Sequence, residues 1–499
     1  MKSPLPRYRN SKKVPVEAPQ SSSHPQHWLL AGASTVALLW ATACVNSATT
    51  NRPPLDVAAP EAWTADGPNV PIADAPTTHP WWTAFDDPQL SELIETALAE
   101  NHDLGAAAQR VEQAAAMARI AAADLKPTIG AGLGAQRQQQ VFVGLPIPGA
   151  PDVLSSTSTQ YSLNVETSWE ADLWGRLRAG ARAALADAQA AEADYRGARL
   201  SLSGQTAKLW FAVAEARQQL DLTRETVKTR TVSTELVRSR YEAGVRPSID
   251  LRLALSNQHS AEALVALAER QLDATVRQLE TLLARYPSAS LQDEVEIRSL
   301  SDLPAPIPAG LPAELVARRP DLAAAERRLT AADQRLLVAE RSRYPRFSLT
   351  ARGGSVSAQL GDLVDGDFSV WALVGNLTAP IFQGGRLKAG VQQAEAAGEA
   401  GLRTYAAQVL RAYAEVETAL AAEQTLRKRE LALRRTAEQL EGARRLAETR
   451  YVRGVGDYLT VLESQSRELT ARIEWIRVRR ELLTNRVDLH LALGGGFES

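Results

Sequence analysis

The sequence contains two long segments that match each other position by position and contain no proline. The first runs from Gly175 to Val245 and the second from Gly385 to Val455, so that a constant offset of 210 residues relates them. Both are rich in Ala, Leu, Glu, Gln and Arg, which are strong helix formers. A helix of this length rises by ~1.5 Å per residue and reaches ~100 Å, which exceeds the core of an ordinary globular domain. The segments therefore predict a rod or the wall of a tube.

Shorter matches show that this repeat extends over most of the chain. Leu104 returns as Leu322 and Pro127 as Pro345, both with an offset of 218 residues. The offset falls to 210 after the predicted strands, so the first inter-strand loop is a net eight residues longer, and such length differences belong in exposed loops. After each long helix, a glycine turn and a second helical segment predict an antiparallel helical hairpin. We expect the repeats at 81–285 and 310–495, a Pro-rich connector at 286–309 and a C-terminal tail at 496–499.

Each repeat also contains two stretches in which apolar and polar residues alternate, which is the period of a β-strand. In the clearest of them Leu163 and Val165 share one face, while Asn164 and Glu166 share the other. A strand between lipid and water has this pattern, and so does a half-buried strand of a soluble sheet. Residues 138–160, rich in Gly, Pro, Ser and Thr, are predicted to form a loop. The four predicted strands are 128–137, 161–169, 347–352 and 368–378.

The number of predicted strands limits the possible architectures. Four strands cannot close a membrane barrel, because the smallest single-chain barrels have about eight. An open sheet edge cannot face lipid either, since every unpaired backbone group there costs several kcal/mol. Either these strands lie outside a membrane, or several chains share one barrel. A trimer would supply twelve strands and a tube of long helices.

The N-terminal region has the features of an export signal. Basic residues precede an apolar run from Trp28 to Trp40, which is too short to span a bilayer but fits a signal-peptide core. Small residues then lead to Cys44, the single cysteine of the chain. The site resembles the acylation site of bacterial lipoproteins, although Ala41 stands where Leu is usual. Ordinary cleavage that leaves an unmodified cysteine is the alternative. We expect a lipoprotein signal peptide at 1–43, lipidation at Cys44 and an extended tether at 44–80.

Composition and motifs argue against an enzyme, a metal site or a nucleic-acid-binding protein. The net charge is -2, which gives no electrostatic reason to expect a nucleic acid partner. One cysteine excludes an intrachain disulfide framework, and the six histidines show no ligand spacing. The sequence has no phosphate-binding glycine loop, nucleophile elbow or metalloprotease helix motif. We therefore predict no catalytic residues, no cofactor and no metal.

Several longer motifs, in the right order and spacing, indicate a known family. They are Trp81-Trp82 with Phe85 and Asp87-Pro88, the run from Trp169 to Leu177, the run from Pro380 to Leu387, and Arg450-Tyr451 with Gly454 and residues 457–460. Over residues 80–495 the chain resembles the TolC-like outer-membrane factors of tripartite efflux and secretion systems, nearest to their lipoprotein (NodT-type) branch.

This resemblance implies a mainly α-helical fold with a small membrane β-part. Two internal repeats from each of three chains would form a homotrimer, with a twelve-stranded β-barrel in outer-membrane lipid continued by a long α-helical barrel across the periplasm. The resemblance also implies two partners, a periplasmic adaptor protein and an inner-membrane pump of the RND type. The chain would then conduct the pump's substrates passively.

Two alternatives belong to other functional classes. A duct of this kind could serve secretion of a protein or peptide, because substrate choice belongs largely to the pump. A structural periplasmic coiled-coil lipoprotein, or an adaptor, would also contain helical hairpins. An adaptor normally carries one hairpin between lipoyl-like and barrel domains, so two hairpins, each preceded by a strand pair, argue against it.

In such a duct the two hairpin turns would form the periplasmic mouth, and polar residues there are candidate gate residues. By alignment on the turn glycines, Asp250 and Glu463 fall where family members place acidic rings, while Thr460 takes the place of Asp250 in the second repeat. A ring of carboxylates favours cations and can control opening. Simple capping of the helices by some of these charges is the alternative. The candidate gate residues are Asp250, Glu463, Asp457, Arg246 and Arg453.

The turns themselves are candidate docking points for the tips of the adaptor. Gly244 and Gly454 are suited to left-handed helix caps, which would give the two turns the same shape. In the alternative, each tyrosine packs against its turn and each arginine interacts with the dipole of a helix C-terminus. The candidate docking residues are Arg240, Tyr241, Gly244, Arg450, Tyr451 and Gly454.

Overall fold

A computed structural model describes residues 63–64, 80–143, 153–295, 300–305 and 318–495. The predicted signal peptide, Cys44, most of the predicted tether, parts of the connector and the C-terminal tail lie outside these residues.

The described elements follow the same order in both repeats. A short 3-10 helix, Trp81–Phe85, opens the first repeat. The elements of the first repeat are α1 (Pro88–Glu100), α2 (His102–Ala123), β1 (Thr128–Val143), β2 (Val153–Ala171), α3 (Arg176–Glu242) and α4 (Ser248–Leu282). Those of the second repeat are α5 (Pro320–Arg341), β3 (Arg346–Ser357), β4 (Ser369–Thr378), α6 (Arg386–Val452) and α7 (Tyr458–Ala492).

The two long helices predicted from the repeat are present and have equal length. Helices α3 and α6 each contain 67 residues, and their return helices α4 and α7 each contain 35. Gly175 and Gly385 precede the long helices with φ angles of 77° and 84°, a left-handed conformation that suits glycine. Each long helix packs along its return helix, and α7 also packs on α3, which joins the two hairpins. No helix in the described part of the chain is both long and apolar enough to cross a membrane.

The four strands form one antiparallel sheet in the order β1-β2-β3-β4. The predicted loop over 138–160 is wrong at both of its ends, because β1 continues to Val143 and β2 begins at Val153, while residues 144–152 lie outside the described residues. Gln139 pairs with Thr157 in this part of the hairpin. Polar residues occupy both faces here, so hydrophobic alternation gave no signal, although the backbone ladder and the β-propensity of Thr favour a strand.

The register of the sheet separates an apolar face from a polar face, as the alternation predicts. On the apolar face, Leu163 lies between Leu133 of β1 and Ser355 of β3, and Ala351 pairs with Leu373 of β4. On the opposite face Glu166 pairs with Arg352, and their side chains form an ion pair of 2.9 Å. Apolar residues occur on this second face as well, among them Val370, Ala372 and Val374 of β4.

The main core lies where the first repeat meets the end of α7. The 3-10 helix and α1 pack there on α3 and α4, with Trp81, Phe85 and Phe211 buried together. Asp87 caps α1 by accepting hydrogen bonds from the backbone N–H groups of Gln89 and Leu90. It also accepts a bond of 2.8 Å from the indole of Trp210, which ties the start of α1 to α3.

One histidine is buried in this core without a charged partner. The His490 ring lies 5.2 Å from the Trp81 ring and 6.3 Å from the Phe85 ring. Burial, with a smaller contribution from the nearby Arg486 guanidinium, lowers the pKa of His490 from 6.5 to about 3. The imidazole is therefore neutral throughout the physiological pH range and acts as a core residue.

We predict that this histidine makes the protein less stable in mild acid. Below pH ~6.5 the unfolded chain binds a proton at His490 that the folded chain does not, so stability falls by up to ~1.4 kcal/mol per pH unit per chain. The apparent Tm of the unmodified protein should therefore drop more steeply between pH 6.5 and 4.5 than that of His490→Leu. His259→Gln is the control, because the His259 side chain is 69% exposed. Parallel pH profiles for the unmodified protein and His490→Leu would contradict the prediction.

Candidate functional site

Both hairpins end in the same backbone turn. Gly244 and Gly454 have φ angles of 67° and 81°, so the predicted left-handed caps are confirmed. The N–H of Val245 donates to the carbonyl of Arg240 at 2.9 Å, and the N–H of Val455 donates to that of Arg450 at 3.1 Å. These bonds satisfy carbonyl groups that a helix end leaves without partners.

Arg240 does not cap its own helix but reaches the end of the neighbouring hairpin. Its guanidinium donates to the backbone carbonyls of Tyr451, at 2.8 Å, and Val452 on α6. A cation is favoured there, because the C-terminus of a helix carries partial negative charge. The guanidinium carbon also lies 5.2 Å from the centre of the Tyr451 ring. One side chain of the first repeat therefore holds the turn of the second.

Tyr451 is the centre of this contact and is only 2% exposed. Arg246 stacks on its ring at 4.9 Å and donates to the carbonyl of Gly456 at 3.1 Å. The Tyr458 ring packs against it at 5.3 Å. Burial, together with the nearby Asp250 carboxylate, raises the pKa of the Tyr451 phenol. We call Arg240, Arg246, Tyr451 and Tyr458 the Arg–Tyr cluster.

The counterparts of these residues in the other repeat lie outside the Arg–Tyr cluster. The Tyr241 side chain is 42% exposed, whereas Tyr451 is buried. Arg450 is exposed, while Arg240 is partly buried against α6. The six candidate docking residues therefore fall into two groups. Arg240 and Tyr451 contact each other and are partly or fully buried, whereas Tyr241, Arg450 and the two turn glycines are exposed.

The candidate gate carboxylates occupy three different environments. Asp457 caps α7, because it accepts hydrogen bonds from the Thr460 backbone N–H at 2.7 Å and from its hydroxyl at 3.0 Å. The backbone bond is the main reason why the pKa of Asp457 is lowered. Glu463 forms an exposed ion pair with Arg467 at 2.5 Å, one turn further along α7. Asp250 is half-buried in the first turn of α4, beside the Arg–Tyr cluster. Of the candidate cations, Arg246 belongs to that cluster, while Arg453 is exposed at the end of α6.

A polar network above the turns was missed in the sequence. Arg230 is 5% exposed and donates to the carbonyl of Asn257 at 2.9 Å. The Asn257 amide donates to Gln465 at 3.3 Å, and Gln465 donates to Glu448 at 3.1 Å, so the network joins α3, α4, α7 and α6. A comparison of the two repeats could have revealed this network, because Arg230 and Gln465 are polar residues at positions where the other repeat has Leu440 and Leu255.

The chain is similar to known proteins over most of its length. The model of the family described as outer membrane efflux protein matches residues 93–285 and 311–495. The pyoverdine export outer membrane protein OpmQ of Pseudomonas putida is 34% identical over 454 residues, which cover 90% of this chain and 95% of that protein. The outer membrane protein OprJ of Pseudomonas aeruginosa is 33% identical over 459 residues, covering 91% and 94%. The solved outer-membrane channel OprN is 28% identical with a TM-score of 0.78, covering 89% of this chain and 98% of that one.

Proposed function

Because this chain belongs to the outer membrane efflux protein family, it is an outer-membrane efflux protein, and we propose that it is the passive exit duct of a tripartite efflux system. Substrates would enter from an inner-membrane pump and a periplasmic adaptor and leave through the outer membrane. The energy for transport would come from the pump, so the duct itself needs no catalytic site.

One observation carries this proposal: in both repeats a strand of the four-stranded sheet, β2 or β4, leads through a short connection into a helix of 67 residues. The apolar face suits lipid, and the polar face with its Glu166–Arg352 ion pair suits a water-filled interior. Each long helix reaches ~100 Å, a length that a duct across the periplasm requires. The turns with Gly244 and Gly454 then lie at the far end from the membrane.

Trimerisation would complete the β-part. Strands β1 and β4 are the edges of the four-stranded sheet, and their backbone groups need partners in lipid. Three copies that pair β4 of one chain with β1 of the next would give twelve strands without a free edge. We propose a homotrimer of this kind, with Cys44 acylated as an additional anchor.

The exposed turn residues support a docking role at the mouth. Tyr241 and Arg450 are accessible beside Gly244 and Gly454, so they can contact the tips of an adaptor. Arg240 and Tyr451 are occupied by each other, and they would act by holding the two hairpins together. An inner-membrane pump of the RND type is the proposed energy-supplying partner.

Asp250 and Glu463 remain the proposed acidic gate, whereas Asp457 has a structural role as a helix cap. We predict that Asp250→Ala combined with Glu463→Ala raises the single-channel conductance and weakens cation preference, because two carboxylates per chain are removed from the mouth. Glu438→Ala is the control, since Glu438 is an exposed carboxylate within α6, away from both turns. Unchanged conductance of the double variant in planar bilayers would argue against this gate.

The exit-duct proposal itself is tested in cells. Deletion of the gene should make cells susceptible to some members of a panel of antibiotics, dyes, metals and solvents, and the unmodified chain should restore resistance. Cell fractionation should find a trimer in the outer membrane, with an intact mass that includes acyl chains on Cys44. Recovery as a soluble periplasmic monomer would overturn the proposal, and export of a peptide alone would favour a secretion system.

A further inference from the structure

An indole from the N-terminal segment is buried against the second repeat. Trp63 is 4% exposed, and its ring meets the Tyr413 ring edge-on at 6.1 Å. The backbone N–H of the next residue, Thr64, donates to the Glu417 carboxylate at 2.7 Å. The apolar cluster around Trp63 contains Val409, Ala412, Val416 and Leu420 of α6, Leu489 of α7 with Leu493 at its C-terminal cap, and Leu322 of α5.

This cluster is the repeat counterpart of the main core around Trp81. When the offset of 210 or 218 residues is added to core residues of the first repeat, the resulting positions belong to the cluster around Trp63. These pairs are Leu104 and Leu322, Leu279 and Leu489, Leu283 and Leu493, Leu202 and Ala412, and Trp210 and Leu420.

The two indoles occupy corresponding places in these clusters. In the first repeat the Trp81 indole donates to the Ser203 hydroxyl on α3 at 3.3 Å. The position of α6 that corresponds to Ser203 is Tyr413, which the Trp63 ring contacts. Trp63 therefore lies on α6 where Trp81 lies on α3.

The connector between the repeats does not provide this indole. By the offset of 218 residues, the counterpart of Trp81–Phe85 is 299–303. Leu300 is buried in the main core instead, where Leu303 packs as well. Arg479 of α7 donates to the Leu300 carbonyl at 2.9 Å and holds the connector there. The part of the connector that would occupy the α6 site by repeat symmetry thus packs elsewhere.

We infer that the α6 surface around Tyr413 is a docking site for an indole, and that Trp63 of the chain's own N-terminal segment is its occupant. The segment thereby completes the second repeat in the way that the 3-10 helix completes the first. Hydrophobic burial of a tryptophan supplies the affinity, and the bond from Thr64 to Glu417 fixes the direction of the chain.

The docking also sets how far the N-terminus can reach. Trp63 lies nineteen positions after Cys44, and an extended chain over that number of steps spans at most ~65 Å. Along α6, the 27 residues from Arg386 to Tyr413 correspond to ~40 Å. The chain from Cys44 to Trp63 is therefore long enough to span that distance. This consequence rests on the proposed lipid anchor, whereas the docking itself does not.

Chemical cross-linking tests the docking directly. Thr64→Cys and Glu417→Cys in one chain should be joined by a short bismaleimide in the purified trimer, with the linked peptides identified by mass spectrometry. A positive control is Asp194→Cys with Arg328→Cys, which replaces an ion pair between α3 and α5. A distant control is Thr64→Cys with Glu438→Cys, which should not be linked. If the positive control is linked and the Thr64–Glu417 pair is not, the inference is wrong.

Substitutions of Trp63 test whether its indole ring holds the N-terminal segment on α6. Trp63→Ala should remove most of the Thr64–Glu417 cross-link and lower the apparent Tm of the trimer by about 5 °C, since a buried aromatic ring is lost. Trp63→Phe should keep most of the cross-link and of the Tm, and Tyr286→Ala is the control because the Tyr286 side chain is 84% exposed and lies outside the sheet. An unchanged cross-link yield in Trp63→Ala would overturn the role of the indole. These measurements do not depend on conductance or transport. The docking inference can therefore fail while the exit-duct proposal stands, and the exit-duct proposal can fail while the docking inference stands.

Discussion

Gly354→Ala is expected to prevent assembly of the outer-membrane trimer, while Gly353→Ala leaves it intact. A Cβ atom on Gly354 would lie 2.0 Å from the Leu163 carbonyl oxygen and 2.7 Å from the Asn164 Cα atom. These are backbone atoms of the adjacent strand β2, so no side-chain rotation relieves the clash. A Cβ atom on the neighbouring Gly353 would meet nothing within 4 Å.

The expected size of this effect follows from the geometry. Overpacking costs ~1–3 kcal/mol per site, and occasionally more, and a trimer contains the site three times. The β2–β3 pair is also the only link between the strand pairs of the two repeats within the described sheet. Heat-modifiable trimer in outer-membrane preparations, measured on partly denaturing gels, should be absent for Gly354→Ala and normal for Gly353→Ala. Equal trimer yields for both variants would show that β2 can move away from β3 at low cost.

Tyr451→Ala is expected to open the periplasmic end of the duct, and Tyr241→Ala is the matched control. Removal of a buried aromatic ring costs ~3–5 kcal/mol, and the two cation–π contacts with Arg240 and Arg246 are lost as well. These contacts join the ends of the two hairpins. Tyr241 occupies the same place in the first repeat but is 42% exposed, so its removal loosens nothing between the hairpins.

The readout for this pair of variants is channel opening. Tyr451→Ala should increase single-channel conductance in planar bilayers and sensitise cells to antibiotics that are too large for the intact outer membrane. Tyr451→Phe should resemble the unmodified protein, because the Tyr451 hydroxyl has no hydrogen-bond partner among the described residues. If Tyr241→Ala opens the channel as much as Tyr451→Ala, the Arg–Tyr cluster is not what holds the mouth closed.

The backbone of the fold was largely predictable from the repeat. Proline-free segments with strong helix formers gave the extent of α3 and α6, and Gly244 and Gly454 gave the turns. The extension of β1 and β2 was not predictable from hydrophobic periodicity, because residues around Gln139 and Thr157 are polar on both faces. Strand pairing there depends on the partner strand rather than on a buried face.

The position of the candidate site at the two hairpin turns was predictable, but the contacts and burial of its residues were not. Arg240-Tyr241 and Arg450-Tyr451 have the same local sequence, yet one tyrosine is exposed and the other buried. The difference arises from which hairpin lies beside each turn, and a local motif contains no information about that neighbour. Asp457 is a helix cap through its bond to Thr460, a contact that local sequence could not separate from a role in the gate, and its gate role stays a prediction.

The polar upper half of the β1–β2 hairpin has a consequence for the outside of the cell. From Gln136 to Gln140 the strand rises ~3.4 Å per residue, which adds about 14 Å at the end of the sheet away from the helices. Gln136 pairs with Gln160 and Gln140 with Ser156, so both faces are polar along this stretch, whereas Val141, Phe142 and Val143 at its end are apolar and exposed. We expect the polar stretch to stand above the bilayer and to carry this apolar end outwards. Antibodies and bacteriophages that approach an intact cell would meet this hairpin first, and sequence drift is expected to be fastest there.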